Sequence, residues 1–211
     1  MTKHFERRAD IPTPTYAIIT EDVKADGKAP NHYAAQEEAV NRVFKDYPKN
    51  DDLVEILIKV CVLNDFYSTN ILSAFKMAQH IFDLKIDSRL AAKDLTVVND
   101  IALLNVDNGK MRNFYSFATK YCCHQNQDAY SIYDSYVARL LTYYAQVDKF
   151  DTFKPQDLRN YPRYCEVLHN FRAYYKLNKI SLRELDAYLW RFGKKGFLQK
   201  KRGDFPPFSN F

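Results

Sequence analysis

Glycine is scarce in this chain, with five in 211 residues. An all-β protein needs many tight turns, and turns that demand a positive φ fall mostly to glycine, so the scarcity argues against that class. Long apolar runs are missing too. No stretch approaches the roughly 18 uncharged apolar residues of a membrane span, and the opening residues, Met1 to Arg8, lack the apolar centre of a signal peptide. A soluble, cytoplasmic protein with no membrane partner is expected. Cys61, Cys122, Cys123 and Cys165 form no Cys-x-x-Cys pair, and the adjacent Cys122 and Cys123 would diverge by about 100° on a helix. They read as reduced, structural cysteines, and neither a metal nor a cofactor is expected.

Core material is plentiful: 46% of the residues are hydrophobic and 15% aromatic. A chain of this length buries roughly 70% of its unfolded surface and needs no disulfide or metal to be stable. The net charge of +5 is unevenly spread. Between Lys176 and Arg202 nine basic residues face only Glu184 and Asp186, a local +7 that leaves the rest of the chain at −2. Such a stripe is the footprint of a phosphate-binding surface, or else a solvated charged tail.

Along the chain, residues 1–32 hold Pro12, Pro14, Pro30 and Asp26-Gly27, which suggests an irregular arm before a single helical domain at 33–202 and a tail at 203–211. A first helix over 33–47 ends at Pro48. Residues 53–63 are apolar almost all round and predict a central buried helix capped by Asp51 or Asp52. Ile71, Phe75, Ala78 and Phe82 form the stripe of the next helix. The β-branched run at 95–104 suits a helix or a strand, and its helical surroundings favour the helix. Asn108-Gly109 is a turn signal, followed by a helix over 111–123. Asp134 or Ser135 caps a helix over 136–144, and 148–163 is mostly loop. The last helix opens on a Ser181/Glu184 capping box and stops at a Gly193 C-cap. Its Trp190 is expected in the core and His124 on the surface.

Three stretches, in order, resemble the helix-hairpin-helix DNA glycosylases, and among them the 8-oxoguanine glycosylase-like proteins. Residues 57–71, with Asn64, Asp65, Phe66 and Tyr67, look like paired core helices joined by an Asn-rich turn near the lesion. Ser131-Ile-Tyr-Asp134-Ser-Tyr-Val137-Ala-Arg139-Leu looks like the segment that holds the family's catalytic aspartate. Leu185-Asp-Ala-Tyr-Leu-Trp190-Arg-Phe-Gly193-Lys is similar to the closing helix. The resemblance implies an all-α fold, an orthogonal helical bundle of two lobes with a cleft between them, the central lobe spanning about 85–145. It also implies a duplex DNA partner with a damaged or modified base. The sequence departs from the family at the hairpin, where only Asn108-Gly109-Lys110 stands in place of a glycine-rich loop. It departs again at the nucleophilic lysine. Lys120 precedes Asp134 by 14 positions and Lys110 by 24, on either side of the family's spacing, which points to Ser116. Lys120 shares a helix face with Ser116, one turn on.

The implied chemistry is cleavage of an N-glycosidic bond, with or without strand scission. Asp134 would stabilise the cationic transition state electrostatically, and Lys120 would attack the sugar if its amine loses its proton near neutrality. Asn64, Phe66 and Tyr67 would fill or flank the gap left by a flipped base, with further tyrosines as stacking surfaces. Asn108, Gly109, Lys110, Arg112, Arg139, Lys194, Lys195, Lys200 and Lys201 are the expected DNA contacts. Each assignment has a plainer counterpart: Asp134 as an N-cap, Lys120 as a surface lysine, Asn64 as a turn residue. The alternative for the whole chain is a non-catalytic DNA-binding or protein-interaction module that keeps the scaffold.

Overall fold

The structure, a computed structural model, describes residues 7–26, 32–107 and 109–198. Among them, helices dominate: α1 (Tyr16–Asp26), α2 (His32–Asp46), α3 (Leu53–Tyr67), α4 (Ala74–Leu84), α5 (Asp87–Ala91), α6 (Val97–Ala102), α7 (Tyr115–Gln125), α8 (Ser135–Asp148), α9 (Tyr161–Tyr174) and α10 (Leu182–Leu198). Two short strands, β1 (Leu103–Asp107) and β2 (Lys110–Asn113), join α6 to α7, and a 3-10 turn (Pro155–Arg159) precedes α9. No described helix is long and apolar enough to cross a membrane.

The first correction falls on the amino-terminal arm. Ile19 is fully buried and Val23 packs beside it one turn later, so a two-residue stripe makes α1 a helix clasped against α10. Asp22 pairs with Arg191 to fasten it. Among the described residues of the arm, the expected irregularity holds for 7–15.

The second correction falls between α6 and α7, where a β-hairpin stands in place of a plain turn between two helices. The antiparallel pairing runs Leu103 to Asn113, Leu104 to Arg112 and Asn105 to Met111, with an irregularity before the turn at Gly109, where φ is +81°. Leu104 and Val106 face inward while Leu103, Asn105 and Asp107 face out, and this two-residue alternation around Asn-Gly is a β-hairpin signal that outweighs the helical surroundings. A hydrogen bond from Phe114 N to Ala102 O closes its base at 2.7 Å.

Other elements shift in phase. α3 runs on through Asn64 and Asp65 to Tyr67, and it buries one face only (Ile56, Lys59, Val60, Leu63) while Val54 is exposed. In α4 the buried residues are Met77, Ala78 and Ile81, which leaves Phe75 in solvent. α10 does not stop at Gly193. A Cβ there would come within 2.7 Å of the Tyr136 carbonyl, so the glycine permits α10 to lie directly on the first turn of α8. The Ser181/Glu184 capping box forms as expected, Glu184 N donating to Ser181 Oγ and Ser181 N to Glu184 Oε2.

Candidate functional site

Residues 130–134 are an irregular strap between α7 and α8 whose backbone polar groups must find partners away from water. Tyrosine hydroxyls supply most of them. Ser131 N donates to Tyr161 Oη, which donates back to Ser131 O, and Tyr164 Oη donates to Ile132 O at 2.7 Å. Tyr133 N donates to Thr119 Oγ1 and Tyr133 O accepts from Ser116 Oγ, both on α7. Tyr130, Tyr115 and Tyr144 spend their hydroxyls in the same way on Asp94 O, Leu158 O and Pro12 O. These tyrosines are staples for non-helical backbone, so the expectation that they serve as base-stacking surfaces is corrected for them.

At the end of the strap stands Asp134, the N-cap of α8, whose carboxylate accepts from Tyr136 N at 2.7 Å. Capping fixes its position at the helix start. Lys120, expected near it, is buried on α7 with 5% of its surface exposed. Its ammonium donates to Ser116 Oγ and O, within its own helix, and lies 5.1 Å from the centre of the Tyr67 ring. Burial holds the Lys120 amine below the ordinary lysine range, against the pull of the Asp134 and Asp186 carboxylates. Lys120 and Asp134 thus lie near enough to act on each other through charge.

Asp186, on α10, is the member that sequence reasoning passed over. Part of the residue meets solvent, yet its carboxyl is packed round by protein, and burial lifts it to about 7 with Lys120 and Arg183 opposing and Asp134 adding to the rise. A signal was present: one of only two acids in a terminal segment of nine basic residues, on a helix whose Leu185, Tyr188 and Leu189 are buried. The Gly193 contact carries α10 close enough to α8 for Asp186 to reach the site.

His124 corrects another expectation. It is buried, with Nδ1 at 3.0 Å from Asn41 Oδ1 and Nε2 at 2.9 Å from Tyr67 Oη. Asn41 Oδ1 accepts only, so Nδ1 carries the proton and Nε2 accepts from the phenol. Burial and the Lys120 charge lower its pKa to about 4, which keeps it neutral. Tyr67 is therefore held as a wall of the Lys120 site, and Asn64 serves the turn. Asn64 Oδ1 accepts from Ile71 N and Thr69 Oγ1, while Nδ2 donates to Ile71 O. Phe66 packs on Tyr67, ring centres 4.5 Å apart. The exposed apolar side chain of this turn is Leu72.

The expected DNA contacts disperse. Lys110 and Arg112 are exposed on β2 beside Gly109, and Arg139 is half-buried on α8. Lys194 lies over the Trp190 ring at 4.6 Å, Trp190 is only partly buried, and Lys195 is exposed. Arg183 and Arg191 spend their charge on Glu37 and Asp22, so part of the basic stripe fastens α10 to the rest of the molecule. Asn108, Lys200 and Lys201 fall outside the described residues.

A second buried lysine has a different setting. Lys59 is fully buried and donates to Tyr47 O, Lys49 O and Asn50 Oδ1. Asn50 in turn bonds Asp87, Tyr121 and Gln125. An open groove of about 460 Å³ lies on this side, lined by Pro48, Lys49, Asp87 and Gln125 among others. Its inner polar side chains are already bonded to one another, and it does not reach Lys120.

A family model named HI_0787_N, an N-terminal domain, matches residues 19–129, more than half of the chain. A Haemophilus influenzae protein named "Uncharacterized protein" is 42% identical over 157 residues, covering 74% of this chain and 75% of that protein. No solved structure matches. The matched span holds Lys59, Tyr67, Lys120 and His124, and Asp134 and Asp186 follow it. The chain is a member of the HI_0787_N family.

Proposed function

We propose that the protein is a DNA glycosylase-like enzyme of the cytoplasm that cleaves the N-glycosidic bond of a damaged or modified base in duplex DNA. The observation that carries this reading is Lys120: a buried amine with a lowered proton affinity, hydrogen-bonded only within its own helix among the described residues, with two carboxylates close enough to act on it. In this reading the neutral amine attacks the sugar C1′, the bond to the base breaks, and the base leaves with a proton. Asp134 stabilises positive charge developing on the sugar. Asp186, in its ionised form, accepts the proton that the amine sheds and passes it to the departing base. A two-lobe cleft would admit the flipped base.

The test is borohydride trapping on duplexes that carry an oxidised purine or an abasic site. A covalent adduct that disappears in Lys120→Ala and persists in Lys59→Arg is expected. Base release and adduct both absent from every duplex would sink the enzymatic reading.

The second reading, a DNA-binding or protein-interaction module without catalysis, draws on the β-hairpin, which offers no glycine-rich anion loop. Duplex affinity that falls steeply with salt, with no base released, would favour it.

A further inference from the structure

Tyr133, the residue before Asp134, has its ring fixed by edge contacts with Tyr115 at 4.8 Å and Tyr164 at 5.5 Å. Its backbone is pinned to Thr119 and Ser116. The hydroxyl meets the Arg159 guanidinium, and Arg139 acts on the same hydroxyl from α8. Arg159 ends the 3-10 turn and is exposed. Seven arginines of the described chain are in ion pairs with carboxylates, and Arg172 donates to the carbonyls of Asn178 and Ile180. Arg159 pairs with no carboxylate among the described residues, although a fold this rich in acids offers many.

We infer that Arg159, aligned by the Tyr133 hydroxyl and supported by the positive charge of Arg139 on α8, forms a subsite for a phosphodiester of the bound DNA strand beside Asp134. The inference rests on the glycosylase-like reading and names the substrate group that this edge of the site holds. A planar guanidinium donates two parallel hydrogen bonds to phosphate oxygens, and a phenol adds a third donor without adding charge. The neighbouring carboxylate would repel a phosphate, and two arginines offset that repulsion while they set the strand's register next to the reacting sugar. The Gly109 hairpin is not needed for this contact, so the site would take its phosphate anchor from the α8 side.

The experiment measures fluorescence anisotropy of a labelled duplex with an uncleavable abasic analogue, over a salt series. Arg159→Ala is expected to bind about tenfold or more weakly. It is also expected to flatten the slope of log affinity against log salt by about one phosphate contact. Arg159→Lys should keep the slope and recover part of the affinity, and Arg42→Ala, on exposed α2, should change neither. A melting curve of Arg159→Ala that matches the parent excludes unfolding as the cause. If the parent protein binds with a steep slope and Arg159→Ala is indistinguishable from it, the subsite is wrong and the glycosylase-like reading stands. If the parent fails to bind duplex at low salt, both fall. Stabilisation by inorganic phosphate that needs Arg159, without duplex binding, would assign the pair to a small phosphate and overturn the DNA contact.

Discussion

Lys59 and Lys120 are both buried on helices, and burial weakens the hold of each on its proton, Lys59 to about 8. Their surroundings differ. The Lys59 ammonium fills its donor capacity with three oxygens that belong to the α2–α3 connection and its Asn50 hub. Every partner would lose a hydrogen bond if it left. Lys120 has Ser116 as its hydrogen-bonding residue, and around it stand groups that act through charge or π-face: Asp134, Asp186 and Tyr67. A fully bonded lysine is a staple. One with a spare donor, within the influence of two carboxylates, is equipped for proton exchange and attack.

The most severe test of this contrast is to remove each ammonium while keeping the bulk. Lys59→Met takes the ammonium donor from the Tyr47 and Lys49 carbonyls and leaves Asn50 Oδ1 to Tyr121 alone among buried donors, and should cost about 3–5 kcal/mol in urea unfolding. Lys120→Met should be neutral to about 2 kcal/mol stabilising at pH 7, because burial already outweighs the carboxylates in its balance. The amine's folded pKa lies below its unfolded one, so wild type gains stability as pH rises to about 10.4, and the advantage of Lys120→Met shrinks over that window. Equal destabilisation by the two substitutions would erase the distinction.

A smaller effect is expected at the strap. Tyr164→Phe leaves Ile132 O without its donor and should cost about 1–3 kcal/mol, with loss of adduct in excess of the stability change, because Asp134 hangs from that strap. Asp186→Asn tests the α10 side. The folded carboxyl holds its proton up to about 7, well above an unfolded aspartate near 3.9, so wild type loses stability as pH climbs between those values. The variant escapes this loss and should gain on wild type by of order 1 kcal/mol between pH 5 and pH 8, as urea melts at the two pH values would record. The smallest change is expected at the hairpin: Gly109→Ala meets no neighbour but strains a positive φ, at about 1 kcal/mol, with adduct yield intact.

Much of the helical frame was legible because strong periodicity and capping are local signals. Asp134 reads as an N-cap from its own sequence neighbourhood, and the Ser181/Glu184 box marks the start of α10 in the same way. What escaped depended on contacts between distant segments. Gly193 looks like a helix stop until α8 is seen against it, and Lys59 looks like one charge on an apolar helix until three oxygens from the preceding turn close round it. Asp186 and His124 acquire their character from burial by α8, α2 and α3, and no spacing within α10 or α7 announces that. The hairpin was missed for a different reason. Its alternation is present at Leu104 and Val106, and the helical segments on either side mask it.

The most direct test of the reactive-lysine account is the titration of lysine side-chain nitrogens by NMR in isotopically labelled protein, with Lys120→Met and Lys59→Met assigning the two buried signals. The account predicts that the Lys120 amine titrates below the value of about 10.4 typical of exposed lysines. It also predicts that the transition shifts when Asp186 is replaced by Asn, while Lys59 does not respond. A Lys120 signal that stays protonated to pH 10.4 or beyond, indifferent to Asp186, would contradict it.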